Sequence, residues 1–117
     1  MSNQFDFKQF SIRQDLCGMK VGTDGVLLGA WACGGQNILD IGTGTGLIAL
    51  MMAQRYPTAY ITALDIESKA CLQAQINADL SSFGGRIEVI QDSIQHFSTT
   101  HQGLKSYDCI VSNPPFF

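Results

Sequence analysis

The sequence predicts an α/β domain, a mainly parallel sheet carrying helices on both faces. Three observations predict it. Short apolar runs alternate with longer helix-patterned segments, the rhythm of βαβ units. A glycine-rich loop, Gly42-Thr43-Gly44-Thr45-Gly46, follows one such run and opens a helical stretch. Asp65 ends the next run and Asp92 follows the one after. Those strand ends are where open α/β sheets gather ligand-binding groups.

Each element has its own justification. Phe5–Phe10 alternates apolar and polar residues, as a short strand does. Met19–Gly25 reads as a loop. Val26–Cys33 reads as a short helix with Val26, Leu27, Ala30 and Trp31 on one face, ended by Gly34-Gly35. Asn37–Ile41 is a short buried strand. Leu47–Arg55 is a helix packed with Leu, Ile, Ala and Met, and Tyr56-Pro57 closes it because a proline turns its predecessor away from helical geometry. Tyr60–Asp65 is a second strand, Ser68–Leu80 a second helix and Ser81–Gly85 a turn. Arg86–Ile90 is a third strand leading into Gln91-Asp92. A polar stretch from Ser98 to Ser106 precedes a fourth strand, Tyr107–Val111. Right-handed crossovers between parallel strands place helices on both faces. No repeat or linker divides the chain, so one domain is expected over residues 1–117.

A chain of 117 residues with 45% hydrophobic and 15% charged residues is globular with a modest core. A net charge of −3 and a pI near 5.0 give no electrostatic footprint for nucleic acid, so basic surface for such a substrate would have to lie elsewhere. Cys17, Cys33, Cys71 and Cys109 are widely spaced in or beside apolar segments, as buried reduced thiols are, which points to a cytoplasmic protein without disulfides. His96 and His101 lack partners at metal-site spacing, and no metal is expected. No stretch is long and apolar enough to span a membrane, and the first residues do not form a secretory signal.

The glycine loop carries the first chemistry. Glycines let backbone approach a ligand closely and adopt positive φ. A dinucleotide fingerprint runs G-x-G-x-x-G. Here Gly42, Gly44 and Gly46 run G-x-G-x-G after Asp40, and Leu47 takes the position of the third fingerprint glycine. That spacing argues against a seated pyrophosphate and suits a nucleoside ligand without phosphate, such as S-adenosylmethionine. Asp65 lies about 20 residues beyond the loop, where a carboxylate can accept both ribose hydroxyls. Glu67 is a weaker substitute. Asp92 can accept a hydrogen bond from an adenine amino group. Each acid alone is as well explained by a helix cap or a solvated charge, Asp92-Ser93 especially. Three consecutive strand ends with an acid, beside the glycine loop, favour the cofactor reading.

The second chemistry follows the fourth strand, in Asn113-Pro114-Pro115-Phe116. An exocyclic amine on adenine is a poor nucleophile because its lone pair is delocalised into the ring. Asn113 Oδ1 and the Pro114 carbonyl can accept its two hydrogens and favour a pyramidal nitrogen. Pro115 stiffens the turn that aims them. Phe116 offers a stacking face for a flipped-out base.

On these residues the chain resembles class I S-adenosylmethionine-dependent methyltransferases, with their Rossmann-like fold. It is most similar to the bacterial tRNA1(Val) adenine-37 N6-methyltransferase family, through Phe5–Phe10 and the block Met19–Trp31. The resemblance implies that Lys20, Gly22, Thr23 and Asp24 close over the cofactor's methionine end. It implies that Asp40, Gly42, Gly44 and Gly46 form the glycine motif, and that Asp65 and Asp92 meet ribose and adenine. Asn113, Pro114, Pro115 and Phe116 match the target-amine motif, usually written with Tyr last. A tRNA substrate and N6-methylation of adenine are then expected of the parent protein.

The family's sheet has seven strands in the order 3-2-1-4-5-7-6, and only four fit here. The chain is therefore expected to be the cofactor-binding portion of the fold, truncated after strand four and inactive alone. Its new edge strand invites self-association. Related chemistry would be methylation of guanine N2 in rRNA, DNA adenine or a protein glutamine. A cofactor-binding or interaction module without catalysis is the reading from another class.

Overall fold

The computed structural model describes residues 4–6, 11–13, 35–100 and 107–112. Strands β1 (Gln4–Asp6) and β2 (Ser11–Arg13) form an antiparallel pair with Phe5 opposite Ile12. The sequence pattern predicts one strand in this region, over Phe5–Phe10. The expected loop at Met19–Gly25 and helix at Val26–Cys33 lie outside the described residues.

The main sheet comprises β3 (Asn37–Ile41), β4 (Tyr60–Asp65), β5 (Ile87–Gln91) and β6 (Cys109–Ser112), all parallel, in the order β5-β4-β3-β6. That order is the 3-2-1-4 portion of the expected sheet. Helices α1 (Leu47–Arg55) and α2 (Ser68–Leu80) connect β3 to β4 and β4 to β5. Helix α3 (Ile94–Thr100) precedes the return of the chain to the far side of β3.

Both faces of the sheet are covered, and the period-2 pattern of the strands decides what each face meets. Ile38, Ile61, Ala63 and Val111 pack with Leu47, Ile48, Leu50, Met52 and Ala78 from α1 and α2. Leu39 and Leu64 point the other way, against Phe97 of α3 with Ile94 and Tyr107 at its margin. Phe97 anchors a helix that the polar run Ser98–Ser106 conceals in the sequence.

In the main sheet β5 and β6 each run one residue past the expected end, to Gln91 and Ser112, and each starts late because a side chain is used elsewhere. Arg86 belongs to a 3-10 turn, Gly84–Arg86, and β5 starts one residue later. Its guanidinium donates to the carbonyls of Ala53 (2.8 Å), Tyr56 (3.1 Å) and Ala59 (2.8 Å), and it lies over the Phe83 ring. The cation thus serves the negative end of α1 and satisfies carbonyls that the helix end leaves over. Asp108 turns out of β6 so that its Oδ2 accepts from the N–H groups of Gln36 (2.8 Å) and Asn37 (2.9 Å). Its own N–H still donates to the Asn37 carbonyl at 2.8 Å, and the paired register of β6 with β3 starts at Cys109 opposite Ile38.

Arg86→Ala should lower stability by about 2 kcal/mol, since three carbonyls lose a charged donor. Urea denaturation measures this, and Arg86→Lys, with one compact ammonium, should recover only part of it.

Candidate cofactor and substrate site

Chain order places a crevice at one point of this sheet. From β3 the chain moves outward through β4 and β5, then returns to the opposite side of β3 as β6. The carboxyl ends of β3 and β6 therefore lie at a topological switch point, the usual ligand position in open α/β sheets. Ile41 pairs with Ser112 there. The glycine loop leaves one side of this point, and Ser112, the residue before Asn113, lies on the other.

The loop crosses from β3 into α1 through three glycines at positive φ: Gly42 at 72°, Gly44 at 55° and Gly46 at 86°. Side chains other than glycine rarely tolerate that region in sequence. The N–H groups of Gly42 and Thr43 both donate to the Leu64 carbonyl, at 2.7 and 2.9 Å, which folds the loop over the end of β4. Gly44 N–H donates to Asp65 Oδ2 at 3.0 Å, and Glu67 N–H donates to Asp65 Oδ1 at 3.0 Å. One carboxylate thus clamps the middle of the glycine loop and the start of the turn into α2.

Asp40 faces inward instead. It is 1% exposed, and its Oδ2 accepts from the Thr43 hydroxyl at 2.8 Å. It also hydrogen-bonds the Ala49 backbone N–H, in the first turn of α1. Gly46 stands at the amino end of α1 with no side chain to cap it, and Asp40 supplies that service from the neighbouring strand. Burial pushes the Asp40 carboxyl from an ordinary 3.8 up to about 7. The Thr43 and Ala49 bonds pull against that rise, and the charge of Asp65 adds to it.

Two residues of α2 hold the loop from behind, and neither is singled out by the sequence reading. Asn77 is fully buried, and its Nδ2 donates to the Thr45 carbonyl at 2.7 Å. A Cβ on Gly46 would come within 3.4 Å of Ala74, so the glycine also permits close packing of loop on helix. The available signal was two polar residues, Gln73 and Asn77, four apart on the small-residue face of Ala70, Ala74 and Ala78.

Asp92 joins this group through its backbone, with N–H to the Asp65 carbonyl at 2.9 Å. Its carboxylate Oδ1 accepts from Ser93 N–H at 2.8 Å, and both oxygens lie within 3.0 Å of His96 Nδ1. Capping of α3 falls to Ser93, whose Oγ accepts from His96 N–H at 3.1 Å. The Cys71 thiol sits between the ends of β4 and β5, 3.5 Å from the Asp65 carbonyl and 3.8 Å from that of Ile90. Burial, then the Asp65 charge, raises its pKa, so the thiol remains protonated at neutral pH.

Asp40, Gly42, Gly44, Gly46, Asp65 and Asp92 therefore occupy one end of the sheet. Lys20, Gly22, Thr23, Asp24, Asn113, Pro114, Pro115 and Phe116 lie outside the described residues. Among the described residues, no group of three or more His, Cys, Asp or Glu side chains is placed to hold a metal ion. No helix among them is long and apolar enough to cross a membrane.

A family model described as the methyltransferase small domain matches residues 23–117. The chain belongs to that family. A Parabacteroides distasonis relative named tRNA1(Val) (adenine(37)-N6)-methyltransferase is 58% identical over 117 residues, which is 97% of this chain and 47% of the relative. A Trichodesmium erythraeum relative of the same name is 56% identical over 119 residues, 98% of this chain and 49% of its own length. The chain spans about half the length of the curated relatives it matches. Solved methyltransferases share the fold of this family member. A SAM-dependent methyltransferase from Agrobacterium tumefaciens has a TM-score of 0.75 at 19% identity, over 98% of this chain and 41% of its own. M. capricolum TrmK, solved with S-adenosyl-homocysteine, has a TM-score of 0.68 at 20% identity, over 82% of this chain and 42% of its own.

The Asp40 environment makes a signed prediction. Between about pH 4 and about 7 the folded protein keeps a proton on Asp40 that the unfolded chain has released. The stability this group contributes is full below that window and is lost as pH rises through it. Asp40→Asn should remove this dependence, so the variant gains on the wild type between pH 4.5 and 7.5. Urea midpoints at the two pH values measure it. An unchanged difference between the two proteins would refute the buried-acid account.

Proposed function

We propose that this chain binds S-adenosylmethionine at the switch point and that its full gene product methylates N6 of adenine in tRNA. The observation that carries the cofactor reading is the glycine loop clamped to the Asp65 carboxylate. The amino end of α1 supports a ligand without phosphate. Phosphate sites use free N–H groups at a helix start, and here the Ala49 N–H already serves Asp40. Leu47, where a dinucleotide site wants glycine, is buried in the core.

In this reading Asp65 accepts the ribose hydroxyls and Asp92 accepts from the adenine amine. The loop glycines pass backbone beneath the nucleoside, while Lys20, Gly22, Thr23 and Asp24 cover its methionine end. Asp40 acts on the loop rather than on the ligand. The cofactor, once bound, supplies an electrophilic methyl group. The chain's part is then to hold the target amine, which requires positioning more than a strong base. Asn113 Oδ1 and the Pro114 carbonyl accept the amine hydrogens, Pro115 fixes the turn, and Phe116 stacks on the base.

The tRNA substrate rests on the names of the relatives. It agrees with a strand, β6, that ends at Ser112 beside the glycine loop and leads into Asn113. The chain itself carries net negative charge, so the basic surface for tRNA belongs to other parts of the full gene product. Residues 1–117 act as its cofactor-binding portion, in the cytoplasm where tRNA is modified. Among the described residues β6 pairs on one side only. Its other side accepts a further strand, from the same protein or from a second copy.

Methyl transfer from labelled S-adenosylmethionine to unmodified tRNA by the full gene product tests this function. Asn113→Ala should lower kcat by about 100-fold or more while leaving cofactor affinity within about twofold. Cofactor binding without transfer to any RNA would overturn the enzyme reading in favour of a binding module.

A further inference from the structure

His96 is exposed, lies outside the glycine loop and belongs to a seven-residue helix. Its geometry ties it to the site nevertheless. His96 Nδ1 is 2.9 Å from Asp92 Oδ2 and 3.0 Å from Oδ1, one helical turn away. A carboxylate offers only acceptors, so Nδ1 must carry the hydrogen in this contact. The imidazole is 67% exposed while the Asp92 side chain is 18% exposed. The ring is therefore the outer partner of the pair, and its Nδ1 bridges both oxygens of the more buried acid.

We infer that His96 is a positioning residue for Asp92, and through it a determinant of selectivity for a 6-amino purine in the cofactor. The inference rests on the proposed cofactor reading. Asp92 follows β5 directly, and its backbone is fixed to Asp65. Its carboxylate still has side-chain torsions to lose. Ser93 N–H holds Oδ1 from one direction, and His96 spans both oxygens from another. Donors from different directions hold the carboxylate plane. An acceptor so fixed favours a ligand amine and opposes a ligand carbonyl, because two acceptors then face each other. Without His96, the carboxylate loses the donor that spans both of its oxygens, and the discrimination weakens.

The test compares S-adenosylhomocysteine with S-inosylhomocysteine, which carries a 6-oxo group in place of the 6-amino group. Calorimetric titration of the chain with each ligand gives a selectivity ratio. The wild type should prefer the amine by about tenfold or more. His96→Ala should bring the two affinities within about threefold, mainly by weakening the amine ligand. His96→Asn, which keeps an N–H donor near the position of Nδ1, should restore most of the ratio. Asp65→Asn should weaken both ligands alike.

The failures are distinguishable. A ratio unchanged in His96→Ala, with S-adenosylhomocysteine still bound, would overturn the inference and leave the cofactor reading intact. A wild type that binds both ligands equally would overturn the role of Asp92 and of His96 with it. A wild type that binds neither would overturn the cofactor reading and the inference together.

Discussion

The site depends on one awkward piece of backbone. Between Ile41 and Leu47 the chain must leave a buried parallel strand, turn sharply at the sheet's switch point and enter a helix. It does so through three left-handed glycines and a helix start with no side-chain cap of its own. Nothing in that loop's composition holds it in one conformation, since glycine has the most freedom to lose. The loop closes one turn of its own, Gly46 N–H to the Thr43 carbonyl at 2.9 Å, and the rest of its rigidity comes from outside. Asp65 takes the Gly44 amide, Asp40 takes Thr43 and Ala49, and Asn77 takes the Thr45 carbonyl. Strand ends and a neighbouring helix thus complete the shape that the loop's single internal bond begins.

That arrangement explains why the acids differ in character. Asp65 is close enough for its charge to act on Asp40, yet only Asp40 is withdrawn from water. Burial suits a residue whose partners are all internal. Asp65 is partly exposed, with one oxygen on the loop and the other on the turn into α2, so it can organise the site and still face a ligand. The buried acid and the facing acid divide two tasks that the sequence pattern assigns to one class of residue.

Most of the sheet is legible from the sequence because its signals are local. Leu47–Arg55, Tyr60–Asp65 and Ser68–Leu80 agree with expectation at both ends. A proline after Tyr56, an apolar run and a small-residue helix each declare themselves within a few positions. Misses occur where a side chain answers a distant partner. Arg86 looks like the start of a strand until the carbonyl end of α1 is brought beside it. Tyr107 and Asp108 look like strand until Asp108 meets the amides of Gln36 and Asn37, 72 and 71 positions away in the chain. Helix α3 is short and polar, and a single buried Phe97 secures it. At the site, the glycines and acids were readable as residue types in a pattern. Which acid turns inward, and the parts of Asn77 and His96, depend on geometry that no local spacing encodes.

The clamp of Asp65 on Gly44 is the claim from which the ligand site follows, and its most direct measurement is amide hydrogen exchange at Gly44 by NMR. The Gly44 amide should be protected in the wild type and should exchange about tenfold faster or more in Asp65→Ala, the expected loss for one bond to a charged acceptor. Leu50, whose amide donates to the Gly46 carbonyl within α1, should be unchanged and serves as the internal control. Equal Gly44 exchange in the two proteins, with Leu50 protected in both, would contradict the account and require another source for the loop's shape.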